Sequence, residues 1–98
     1  MEITNMISEI EFCTNHNIEV SFIRSIHEIG LIELIVIDET MYFHSGQLNN
    51  LEKILRMYFD LNINLEGIDT VFQLLQKMES MQEELTILKN KIEFYEIR

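Results

Sequence analysis

The chain has 98 residues, almost half of them apolar, enough for one small domain with a modest core. Seventeen acidic side chains against seven Lys and Arg give a formal net charge of −10, and up to Glu52 the only fixed cation is Arg24. That balance weighs against polyanionic ligands, nucleic acid and anionic membrane alike, because both are held by Lys and Arg, and it suits a basic protein partner. One cysteine excludes an internal disulfide framework and multi-cysteine zinc sites. No apolar run approaches the length of a membrane span, and Met1-Glu2-Ile3-Thr4 lacks the basic-then-apolar plan of a signal peptide, so a cytoplasmic setting is expected.

Ser8-Glu9-Ile10-Glu11 has the capping-box arrangement and predicts a short first helix burying Ile7, Ile10, Phe12 and Cys13 and closing in Asn15-His16-Asn17. A second helix over 20–29 sets Phe22, Ile23, Ile26 and Ile29 on one side and ends at Gly30, where a helix C-terminus favours positive φ. Two short helices joined by a tight turn form a helix-turn-helix unit. The β-branched run Leu34-Ile35-Val36-Ile37, the polar turn Asp38-Glu39-Thr40 and Met41-Tyr42-Phe43 then predict a hairpin wing.

Ser45 is the expected cap of a third helix whose apolar face is Leu48, Leu51, Ile54, Leu55, Tyr58 and Phe59, ending near Asn62. Asn64 caps a long proline-free helix to about Glu96, with Glu66 and Asp69 near its positive end. Met78, Met81, Leu85, Leu88, Ile92 and Tyr95 alternate three and four residues apart, the pattern of a coiled-coil seam, and predict a homodimer. Leu65, Ile68, Val71, Phe72, Leu74, Leu75 and Met78 make a wider face expected to pack on the rest of the chain. The fold expected is therefore mainly α in a single domain, 1–98, with a winged helix-turn-helix head over 1–62 and the long helix over 63–98.

The chemistry-bearing residues do not group. Cys13, beside Glu9 and Glu11, lacks the electropositive setting of a reactive thiol and reads as a small buried hydrophobe. His16, His27 and His44 have no metal-ligand spacing. Glu28, Glu33, Asp38 and Glu39 cluster around the helix–wing junction without a nucleophile motif, phosphate loop or ligand set beside them. No catalytic, cofactor or metal site is expected.

The element order, and the segment Ile23-Arg24-Ser25-Ile26-His27-Glu28-Ile29-Gly30-Leu31-Ile32, resemble the winged-helix head of the MerR family. Ser25 and Ile26 stand where that family has tyrosines that help hold DNA, and the wing lacks its glycine, tyrosine and arginine. Only Arg24 carries over as a phosphate-contact candidate. Across nearly the whole chain the sequence is also similar to the MerR-like chaperone-modulator family of the CbpM type. The segments that carry this are Glu11-Phe12-Cys13, Ile18, Gly30-Leu31-Ile32-Glu33, the junction 60–68 and Leu74-Leu75-Gln76-Lys77-Met78-Glu79-Ser80-Met81-Gln82-Glu83-Glu84-Leu85. Asn17 and Asn62 stand where the family often has glycine, and asparagine also adopts positive φ.

This resemblance implies a cytoplasmic protein that binds the J-domain of a DnaJ-like or CbpA-like co-chaperone and restrains its stimulation of Hsp70. The alternative is a MerR-like DNA-binding transcriptional regulator. A plain assembly module built on the coiled coil is a third. For the first reading the expected partner-binding residues are Glu28, Glu33, Asp38 and Glu39 for charge and Phe22, Ile26 and Ile35 for apolar contact. Dimerisation falls to Met78, Met81, Leu85, Leu88, Ile92 and Tyr95.

Overall fold

The computed structural model describes residues 5–97, so the reading of Met1-Glu2-Ile3-Thr4 lies outside the described residues. The order is β1 (Met6–Ser8), α1 (Glu9–His16), α2 (Val20–Ile29), β2 (Ile35–Ile37), β3 (Thr40–His44), a 3-10 turn (Ser45–Gln47), α3 (Leu48–Leu55), a π turn (Arg56–Asp60) and α4 (Leu65–Ile97). This is the mainly helical winged architecture read from the sequence. The chain divides into two compact units, Met1–Ile68 and Asp69–Arg98.

Local chemistry sets the helix limits. Ser8 Oγ accepts from the Glu11 amide at 3.4 Å, and Asn17 closes α1 in the left-handed region at φ 55, its neighbour Ile18 donating back to the Cys13 carbonyl at 2.9 Å. Gly30, at φ 93, ends α2 in the same way, with its amide on the His27 carbonyl at 2.9 Å and the Leu31 amide on that of Ile26 at 3.2 Å. Asn64 Oδ1 accepts from the Gly67 amide at 2.8 Å and so starts α4 as predicted.

The wing is larger than the expected hairpin. β1 adds a third strand, giving the antiparallel order β1-β3-β2 with Ile7 opposite Phe43, so Ile7 belongs to the sheet and not to the first helix. Three residues directly before a capping box show too little alternation to be read as a strand. The turn is the two-residue Asp38-Glu39, at φ 49 and 64, the type I′ geometry that matches strand twist; Thr40 therefore joins β3 opposite Ile37. His44, not Ser45, caps the next element, Nδ1 accepting from the Gly46 amide at 2.9 Å.

The core of the first unit is Phe12, Cys13, Ile23, Ile26, Ile32, Phe43, Leu51, Ile54 and Ile68. Phe12 meets Phe43 edge-on with ring centres 5.4 Å apart, joining α1 to the sheet. Ile10, expected inside, is 60% exposed, because the inward face of α1 runs Glu9, Phe12, Cys13 at helical spacing and Ile10 stands a quarter-turn off it. Of the wide face predicted on α4, Ile68 is buried within the first unit, and in the second unit Leu74, Leu75 and Met78 are exposed by 45–63%. Val71, Leu74, Met78 and Met81 keep the three-four spacing, so the pattern expected of a seam continues upstream of Met78.

Phe43→Ala should cost about 3–5 kcal/mol in denaturant unfolding, the usual loss for a fully enclosed phenylalanine, and Ile10→Ala within about 0.5 kcal/mol of zero.

Candidate functional site

The first functional candidate, Arg24, sits mid-helix in α2 and is spoken for. Its Nε donates to Glu9 Oε2 at 2.8 Å and its Nη2 to Glu9 Oε1 at 3.0 Å, a two-pronged clasp between the first turn of α1 and α2. Glu9 is only 2% exposed, and a carboxylate so far from water requires a paired cation. Arg24 keeps its outer part in solvent, and its guanidinium is held above its usual pKa by the Glu9 hydrogen bond and charge. The burial of Glu9 and its pairing with Arg24 are not expected from the sequence, although Glu9 stands three and four residues before Phe12 and Cys13, the helical inward spacing. A buried acid there had one cation available before Lys53.

The residues assigned to partner binding do not form one patch. Glu28, Glu33, Asp38 and Glu39 are all exposed. The Glu33 backbone is clamped on both sides by the Gln47 side chain, its amide donating to Oε1 at 2.8 Å and its carbonyl accepting from Nε2 at 2.9 Å, which pins the stem of the wing to the 3-10 turn. Ile26 is wholly buried and has no surface to offer a partner, so it is a core residue. Phe22 is half-buried against the π turn, its ring 4.5 Å from that of Tyr58 and 5.4 Å from that of Phe59. This cluster exists because the π turn, closed by the Leu61 amide on the Arg56 carbonyl at 3.3 Å, brings Tyr58 and Phe59 to the first turn of α2.

Ile35 lies elsewhere, on the sheet. Phe43 marks the inner face by its burial against Phe12, and strand alternation then puts Tyr42 on the opposite face together with its cross-strand partner Ile35. Ile37 and Met6 share that outer face by the same registers. All four are half-buried, and only Ile35 had been singled out from the sequence.

Every residue of α4 from 73 to 96 is exposed, and the seam side chains Met78, Met81, Leu85, Leu88, Ile92 and Tyr95 are open by 54–66%. Cys13 is buried, and desolvation, with the Glu9 charge second, raises its thiol pKa. His16 Nδ1 donates to the Phe12 carbonyl and His27 Nδ1 to that of Ile32, both at 3.1 Å, while His44 serves as a cap, so each histidine has a local structural task. Among the described residues no three of His, Cys, Asp and Glu gather to hold a metal ion, and no helix is long and apolar enough to cross a membrane.

A helix-turn-helix followed by a small sheet wing and a long helix defines the winged helix-turn-helix class. A family model described as MerR HTH family regulatory protein matches residues 7–90, and the chain belongs to that family. Comparison with curated proteins and with solved structures gives no significant match.

Cys13 makes stability depend on pH. The folded thiol stays protonated past its ordinary pKa of 9.0, where the unfolded thiol ionises, so this contribution is present below 9.0 and is lost as pH rises above it. Denaturation midpoints measured on either side of that value should fall more steeply for the wild type than for Cys13→Ala.

Proposed function

We propose that the protein is a cytoplasmic protein-docking module of the chaperone-modulator type, whose acidic head occupies the basic face of a J-domain in a DnaJ-like co-chaperone and so keeps it from Hsp70. The observation that carries this reading is electrostatic. In the described head the one cation before Lys53 is tied to a buried carboxylate, while Glu28, Glu33, Asp38 and Glu39 stand free of it in solvent. Duplex DNA requires several phosphate-neutralising cations on the face that meets it, whereas an acidic surface speeds encounter with a basic one and rejects partners of its own sign. The similarity to CbpM-type sequences over most of the chain supports the same choice.

The family description favours a second reading, a DNA-binding regulator. The two separate cleanly. The purified protein should bind a J-domain and lower its stimulation of Hsp70 ATPase, and should leave palindromic duplex DNA unshifted at about 0.15 M salt. Salt-sensitive DNA binding with no effect on the ATPase assay would reverse the assignment.

For the second unit we propose pairing with another copy along the open seam. Leu85→Glu sets a carboxylate of each chain into an apolar seam, so sedimentation should show a dimer converted to monomer. A variant that stays dimeric at the same affinity would move the interface off this stripe.

A further inference from the structure

Small antiparallel sheets that pack one face on a core ordinarily present polar side chains on the other. Here the outer face carries the apolar Met6, Ile35, Ile37 and Tyr42 among Ser8, Thr40 and His44, with Ile35 beside Tyr42, and Ile37 beside Thr40, across the β2–β3 pairing. Among the described elements the main packing partner of β2 is β3, and Ile35 and Ile37 keep part of their surface in solvent. At the rim stand Asp38 and Glu39, both held at positive φ in the tip of the wing, and Glu33, whose backbone is locked by Gln47 at the stem. No Lys or Arg lies between Arg24 and Lys53 to offset them.

We infer that this outer face of the wing sheet is the seat of the protein partner, and that the occupant is a basic amphipathic helix. A helix about 10 Å across lays one apolar stripe over two strands about 5 Å apart, with Lys and Arg on its flanks reaching the carboxylates. A second copy does not fit, because it would bring two acidic rims together, and nucleic acid or an anionic membrane meets the same repulsion. The apolar centre supplies the affinity and the rim the selection, which is the division of labour in protein interfaces. The inference rests on the docking role proposed above and says where on the head docking occurs.

The test is titration of a J-domain into the full-length protein. Ile35→Thr, Ile37→Thr and Tyr42→Thr together keep strand propensity while removing the apolar face, and should weaken binding at least thirtyfold, on the order expected for losing an interface centre. Leu61→Ser, at the exposed π-turn end, should leave the affinity unchanged. Should the triple variant not fold by circular dichroism, amide shifts of the wild type on adding the J-domain decide the matter, with the largest expected over residues 35–42. Binding by wild type and a folded triple variant alike, or shifts confined to Phe22, Tyr58 and Phe59, would overturn the wing as the seat and leave the docking function standing. No binding by the wild type would overturn both.

Discussion

A carboxylate almost wholly withdrawn from water governs the head of this molecule. Glu9 points inward from the first turn of α1 and is kept charged-paired by the Arg24 clasp, with bonds of 2.8 and 3.0 Å. Removing Arg24 leaves the enclosed Glu9 carboxylate with an uncompensated desolvation, whereas Arg24 without Glu9 still reaches solvent, so the contact between α1 and α2 tolerates change on the arginine side least. The same contact has an electrostatic consequence. It spends the one cation of the helix-turn-helix on structure, and the winged frame that elsewhere in its family is a regulatory one is left with an acidic exterior.

That exterior is built with some conformational cost. Asp38 and Glu39 sit in a type I′ turn, where asparagine and glycine are the favoured pair, and a residue other than glycine in the left-handed region costs roughly 1 kcal/mol. The turn therefore carries two carboxylates where backbone preference alone selects neither. Beside it the sheet shows apolar side chains on both faces: Phe43 and Ile7 toward the core, Ile35, Ile37 and Tyr42 away from it. The wing thus combines a half-buried apolar centre with a rim of one sign. The α2 surface, by contrast, has lost Ile26 to the core and turned Phe22 to the π turn.

Capping chemistry was the most legible part of the sequence. Ser8, Asn17, Gly30 and Asn64 each act through their own side chain or φ preference, and each closes or opens a helix at the expected place. What was hidden depends on tertiary context. β1 is three residues long and becomes a strand only through β3; Ile10 and Glu9 exchange their expected places because the inward direction of α1 is set by what it packs on; His44 takes over a cap from Ser45 because β3 runs further than its hydrophobic run. The candidate docking residues were legible by charge and not by position. Exposed acids need no partner in the chain, whereas the grouping of Ile35 with Ile37, Tyr42 and Met6 exists only once the strand register does.

On the proposed function, the head meets its partner through opposite charge and not through nucleic-acid contacts. The most direct measurement is the association rate with a J-domain, followed by stopped-flow over a series of salt concentrations. Steered encounter of an acidic surface with a basic one predicts a rate that falls about tenfold or more between low salt and roughly 0.5 M, with the dissociation rate nearly constant. An association rate indifferent to salt would rule out charge-steered docking.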